Sequence, residues 1–435
     1  MAFLTNLAYT FTLPQTVQPS GSILQASGLT MESLIRRKLK SQYPHMKKYL
    51  LFDPQLYLSG LDATQSPGHC TKLATYPWFE IPGITKYDSD LQKQSDWKKE
   101  LEKHITTIWT RKPPNDTSKV LNAVQYCIDF QRRLECDAII LPSPLTFDPA
   151  TDYSNELMWL DLALDYIKSN KIDDIPIYAT VALSDICVRY AEPLSNLLLQ
   201  MILDAVSARD INGVYLVIEQ SSEPAGTRHF SNTRSLESAL HLTHIFTHDC
   251  GIDVGVNYFG FYGLALEAAG AKFWSSGWYK SLYRLRLADK LAGGRAYPSY
   301  WSSVAAVDVH LQNDFDTLQN KGMIDSIATY TSASEGLLKA AKQNIPVSMV
   351  PAWEYRHSNV TATQEHYLLS AVQAEATHTN YVGKNRLDYV ENWLIKANDQ
   401  AQKIATVLGP MSFTKTDYIR AWLDAFQTYR RDHNN

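Results

Sequence analysis

"GIDVGVNYFGFYGLALEAAGAKFWSSGWY", residues 251–279, reads as strand, short helix, strand. Its strand pieces "IDVGVNYF" and "AKFWSSG" are apolar almost throughout, and the helix "YGLALEAAG" between them is short and built from small residues. A strand that is apolar on both faces needs cover on both sides. Alternation of such strands with amphipathic helices therefore points to a parallel sheet wrapped by helices.

The same rhythm runs upstream. "KYLLFD" (48–53), "CDAIILPSP" (136–144), "IPIYATVALSD" (175–185) and "INGVYLVIEQSS" (211–222) have strand composition. "NELMWLDLALDYIKS" (155–169), "SNLLLQMILDAVSARD" (195–210, opened by a Ser cap) and "TRSLESALHLTHIFTHD" (233–249) have helical spacing. A helix "YKSLYRLRLADKLAG" is expected at 279–293. From residue 48 this gives six strands. Residues 295–301 and either 326–332 or 345–351 are expected to supply two more, completing an α/β (β/α)8 TIM-type barrel. The alternative is a doubly wound open parallel sheet. That fold carries a Gly-rich phosphate loop after an early strand, and "PQLYLSG" follows "KYLLFD" instead.

Residues 1–47 lack the rhythm and read as an N-terminal extension of a barrel spanning 48–361. Residues 54–135 read as a long insertion after the first strand, lying over the barrel mouth and carrying two helical segments. Residues 362–435 read as a helical C-terminal extension.

Composition narrows the class. The chain has 435 residues, 45% hydrophobic and 20% charged, with a net charge of -4. That balance advertises no nucleic-acid partner and leaves room for a local basic patch. Five widely spaced cysteines without a CxxC suit reduced thiols in a cytoplasmic protein. No signal peptide and no membrane span are expected, so no membrane partner is. The 25 tyrosines suit either an aromatic core or contact surfaces. A protein partner would use 54–135 or the C-terminal helices.

In a barrel the site lies at the C-terminal strand ends. Those ends carry Asp53, Asp185, Glu219 with Gln220, Asn257 with Tyr258, and Trp274 with Ser275 and Ser276. Asp53 and Glu219 are the candidate acid/base pair, with Asp185 as a third carboxylate. The competing reading is that each acid caps a helix or pairs with an Arg, Arg189 in the case of Asp185. Asn257, Tyr258, Trp274, Ser276 and Trp278 would wall a flat or sugar-like ligand. Arg284, with Lys280 and Arg286, could meet an anion at a helix start. His241, His244 and His248 form a stripe at i, i+3 and i+7. They lie opposite the apolar face of their helix and are expected to face solvent, so no metal is assigned. Gly255, Gly260 and Gly263 do not have GxGxxG spacing, no P-loop or GxSxG occurs, and no cofactor is expected.

The order "VGVNYFGFYGLALEAAGAKFWSSG" followed by helices resembles the later barrel half of tRNA-guanine transglycosylase-like proteins. The resemblance implies a barrel and base exchange on tRNA. The chain departs from that family by having no acid near "FWSSGW", where the nucleophilic Asp would stand, and by lacking the zinc cysteines. No catalytic residue is carried over. Three functional readings follow. One is a metal-independent barrel enzyme acting on a sugar, nucleoside or nucleobase. The second is a catalytically inactive barrel serving as scaffold or sensor in an assembly. The third is a base-exchange enzyme on tRNA.

Overall fold

The computed structural model describes residues 2–8, 12–79, 91–222, 229–279, 282–290, 298–355 and 361–433. Eight parallel strands form one sheet: β1 (Ala2–Leu7), β2 (Gly21–Gln25), β3 (Leu50–Asp53), β4 (Ile139–Ile140), β5 (Ile177–Ser184), β6 (Gly213–Glu219), β7 (Asp253–Asn257) and β8 (Phe273–Ser276). The strands lie in chain order, and β8 returns to pair with β1, Ala2 opposite Phe273. The sheet is a nearly closed (β/α)8 barrel. Every strand residue of β2 to β6 is buried, which is why β3 to β6 read as nearly unbroken apolar runs.

The seam lies between β3 and β4. Pro142 and Pro144 follow β4 directly, and proline donates nothing to a ladder. Asp137 patches the gap. Its N–H donates to the Leu50 carbonyl at 2.8 Å, and its carboxylate accepts the Leu50 N–H at 2.7 Å and the Lys40 ammonium at 2.9 Å.

The first two strands come from the stretch read as an N-terminal extension. "AFLTNL" and "GSILQ" are short, partly polar, and joined without a helix among the described residues, so they escape the strand-helix rhythm. "KYLLFD" is consequently the third strand and the 54–135 insertion follows the third. The expected late strands are not part of the barrel. Residues 299–302 (β9, Ser299–Ser302) pair antiparallel with β10 (Val307–His310) in a separate sheet. Residues 324–327 are helical, and 347–349 form a single 3-10 turn. The described part of 279–293 holds no α-helix; Leu287–Asp289 form a 3-10 turn.

Around and beside the barrel stand α1 (Met31–Ile35), α2 (Leu39–Gln42), α3 (Pro67–Ala74), α4 (Leu91–Ile108), α5 (Thr117–Arg133), α6 (Ser154–Ser169), α7 (Leu197–Ser207), α8 (Thr233–His244) and α9 (Gly263–Ala268). After β10 come α10 (Asp316–Asn320), α11 (Ile324–Ile327), α12 (Glu335–Lys342), α13 (Thr361–His378), α14 (Lys384–Leu408) and α15 (Tyr418–Asp432). Asp116, Asn196 and Asn232 cap α5, α7 and α8 with their side-chain oxygens. The cap of α7 is thus Asn196 and not the neighbouring Ser195. The C-terminal helices dock on the barrel's flank: α13 against β1 and β9, α14 against α9, and α15 against α8.

Glycine shapes the barrel floor. A Cβ on Gly255 would stand 1.9 Å from the Phe273 ring, and one on Gly213 would stand 2.3 Å from the Tyr178 ring. The two rings lie 5.8 Å apart and fill the space the missing side chains leave, plugging the N-terminal half of the barrel. Gly255→Ala is therefore expected to overpack this layer and destabilise the protein by about 1–3 kcal/mol, read by urea unfolding. Pairing it with Phe273→Leu should recover part of that loss.

Candidate active site in the barrel mouth

Strand alternation decides what enters the barrel. Tyr215 points inward, so Asn6, Gln25, Asp53 and Asn257, which its network reaches, are the inward residues of the upper layer. They sit at the C-terminal ends of β1, β2, β3 and β7, directly above the aromatic plug.

These side chains form one continuous hydrogen-bonded network, buried throughout. The Asp53 carboxylate accepts the Tyr57 hydroxyl at 2.6 Å, the Tyr215 hydroxyl at 2.9 Å and the Gln55 N–H at 3.1 Å. The Asn257 amide donates to the Tyr215 oxygen at 2.5 Å and accepts from the Asn6 amide at 2.7 Å. Gln25 donates to Asn6 at 3.0 Å. Gln55 donates to the Tyr258 oxygen at 2.6 Å and also to Gln25, which accepts the Tyr258 hydroxyl as well. The Lys290 ammonium stands 5.7 Å from the centre of the Tyr258 ring.

Two members of this network sit in strained backbone. Gln55 (φ 53°) and Tyr258 (φ 68°) are both left-handed. Non-glycine residues rarely hold that conformation, and where they do it clusters at functional sites. Tyr258 follows the end of β7 directly and Gln55 stands two residues past the end of β3, and each turn brings its side chain to Gln25.

Burial pushes the Asp53 carboxyl up from 3.8 to about 6, against the opposing pull of the Tyr57, Tyr215 and Gln55 hydrogen bonds and of Lys290. At the rim, burial and then Lys290 hold the His69 imidazole down at about 4. His69 is therefore neutral near pH 7, with Nδ1 2.9 Å from the Ser27 carbonyl.

Asp185 and Glu219 form a second cluster. Glu219 accepts the Ser221 N–H at 3.1 Å and the Leu287 N–H at 2.9 Å. Asp185 accepts the Ser222 hydroxyl at 2.9 Å and the Ser221 hydroxyl at 3.2 Å. Burial raises the Glu219 carboxyl first, the backbone amide of Leu287 opposes it, and the nearby Asp185 charge raises it further. Neither acid is ion-paired to an Arg among the described residues, Arg189 included.

The expected partners Asp53 and Glu219 share no hydrogen-bonding group: Tyr215, whose hydroxyl reaches Asp53, precedes Glu219 by four residues on β6. The carboxylate that Glu219 senses is Asp185.

The remaining candidates separate by strand face. Asn257 and Tyr258 enter the network. Trp274 and Ser276 do not wall the mouth, since they alternate with the inward Phe273 and Ser275. The Trp274 indole donates outward to Glu375 on α13 at 3.2 Å, and Ser276 meets the Tyr367 hydroxyl at 2.8 Å. Trp278 is buried with its ring centre 5.5 Å from that of Tyr279. Arg284 is buried in the segment whose Leu285 bridges to Glu219. No α-helix starts there among the described residues, and Lys280 lies outside them.

The histidine stripe is solvated only in part: His248 is exposed as expected, while α15 packs over His241 and His244 and is followed by His433, whose Nε2 is 3.3 Å from His241 Nδ1. His241 is buried, and His244 contacts the Tyr429 hydroxyl at 2.9 Å.

Sequence reasoning passed over Asn6, Gln25, Gln55, Tyr57, Tyr215, His69 and Lys290. A usable signal was present for two of them. "AFLTNL" and "GSILQ" are short apolar runs carrying an amide at or near their ends, as "DVGVN" does.

Comparison with known proteins adds little. No family model matches the chain, and no curated protein does. One similar solved structure is described as a GH138 enzyme targeting pectin rhamnogalacturonan II. It shares 9% identity at a TM-score of 0.30, over 99% of this chain and 56% of its own length. So loose a likeness decides neither fold nor reaction.

Asp53 has a thermodynamic signature. Its folded pKa lies above the unfolded value, so the native state holds the extra proton between about 3.8 and about 6. Stability then falls as pH rises through that window and stays reduced above it, by on the order of 3 kcal/mol. Asp53→Asn should remove this slope and stabilise the protein at pH 7 relative to wild type. Urea unfolding at pH 4, 5, 6 and 7 checks it. A parallel pH dependence in both proteins would contradict the assignment.

Proposed function

We propose that the chain is a barrel enzyme whose mouth binds a polar ligand, a sugar, nucleoside or nucleobase, and that Asp53 exchanges a proton with it. The reading rests on a carboxyl with a pKa of about 6 inside a barrel-end network of amides and phenols. A buried ionisable group of this kind is costly, and a core built only for stability would fill the position with an apolar side chain. A carboxyl that titrates near neutral pH is suited to both accept and release a proton.

The surrounding groups fit the same ligand class. Gln25, Gln55 and Asn257 carry paired donors and acceptors, as hydroxyl-rich or heterocyclic ligands require. Tyr258 offers a ring, and neutral His69 a second polar edge. Glu219, at the end of β6 and raised by burial and by Asp185, is the second carboxyl of the mouth. In this reading Asp53 acts from the floor of the site and Glu219 from its rim.

The test is turnover of a panel of nitrophenyl glycosides and nucleosides, together with native mass spectrometry of the purified protein for a retained small molecule. Asp53→Asn and Glu219→Gln are expected to lose activity or ligand without loss of folding. Both variants behaving as wild type would sink the site. A chain that arrives bound to another protein and turns over nothing would favour the scaffold reading. Tyr215→Phe deletes a hydrogen bond that lowers the Asp53 pKa. The Asp53 limb of the pH–rate profile should therefore move to higher pH, with kcat retained in part.

A further inference from the structure

We propose that a basic groove at the base of the barrel, at the end opposite the mouth, binds a small organic anion with an apolar body. Residues 33–52 hold six Lys or Arg and no Asp or Glu, in a chain of net charge -4. This span runs from the end of α1 through α2 into β3. Helix α5 descends beside it toward β4, so residues 34–41 and 130–135 meet near the N-terminal ends of β3 and β4.

Between them lies a cavity of about 410 Å³, a size that suits a small organic ligand. Leu34, Leu39, Phe130 and Leu134 provide apolar surface in it, and Arg37, Lys38, Lys40 and Arg133 supply four cations against one acid, Glu135. Lys40 is already paired with Asp137 at 2.9 Å. Lys38 and Arg133 make no ion pair among the described residues. The Arg133 guanidinium stands 5.9 Å from the centre of the Phe130 ring, which is itself buried against Phe52, Tyr76 and Trp78 under the groove.

Fold stability does not account for the cluster. A basic residue in the last turn of α5 complements the helix dipole, which covers Arg133. Arg37 donates to the Tyr43 hydroxyl at 2.6 Å, and neither interaction explains why Lys38 stands at the same cavity. Nor does the mouth need them, since they lie at the other end of the barrel. The concavity is also too small for the long phosphate track that nucleic acid binding uses. An anionic head against the rim with an apolar body against the floor matches what the groove offers.

The probe is anilinonaphthalene sulfonate, an aromatic anion, titrated by fluorescence against the full chain. Saturable binding that weakens with added salt is expected. In Arg37→Glu/Arg133→Glu it should be roughly tenfold or more weaker, because reversal turns close attraction into repulsion. Lys38→Glu, at an exposed position, should weaken it too, and it serves if the double variant does not fold. Lys396→Glu on α14 should leave it unchanged. Equal affinity in wild type and the groove variants, or no saturable binding in wild type, would overturn the proposal.

Discussion

A carboxyl group enclosed in a barrel cannot be solvated by bulk water, and most of the interior is arranged around that constraint. Asp53 is fully buried on the third strand. Its lone pairs are met by two phenols and a backbone amide drawn from β6 and the start of the insertion. Burial still outweighs those bonds, which is why its pKa moves up and not down. The amides of Asn6, Gln25, Gln55 and Asn257 extend the same logic. Each is a polar group that the closed barrel would penalise alone, and each is satisfied by the next.

The layer beneath depends on residues that are absent. Gly213 and Gly255 occupy inward positions where a side chain would collide with Tyr178 or Phe273. The rings plug the base of the barrel and leave the polar layer above as the first place a ligand's polar groups could be recognised. The outward residues of the same strands do a different task. Trp274 and Ser276 tie β8 to α13 through Glu375 and Tyr367. One strand therefore serves the interior with its odd residues and the C-terminal helices with its even ones.

That second contact is itself polar. Glu267 on α9 and Glu375 on α13 are both pushed up to about 7, in each case first by burial. His378 is held down at about 4, chiefly by burial, with its Nδ1 3.0 Å from Glu267. The C-terminal helices thus enclose buried ionisable groups where they pack on the barrel's flank. Helix α15 continues the pattern where it covers the histidines of α8.

The sequence by itself determined the fold class, because apolar strands alternating with helices leave few other ways to bury both faces of a parallel sheet. It also placed Asp53, Asp185, Glu219, Asn257 and Tyr258 at strand ends, since a strand's end is marked locally by its first polar residue. It did not reveal β1 and β2, whose short runs carry no helix between them among the described residues. The site residues Asn6 and Gln25 went unseen with them. Only the tertiary structure decided which acids meet. Height along a strand and the face a residue presents depend on register between strands far apart in sequence. That register placed Asp53 beside Tyr215, Glu219 beside Asp185, and Trp274 on the outside of the barrel.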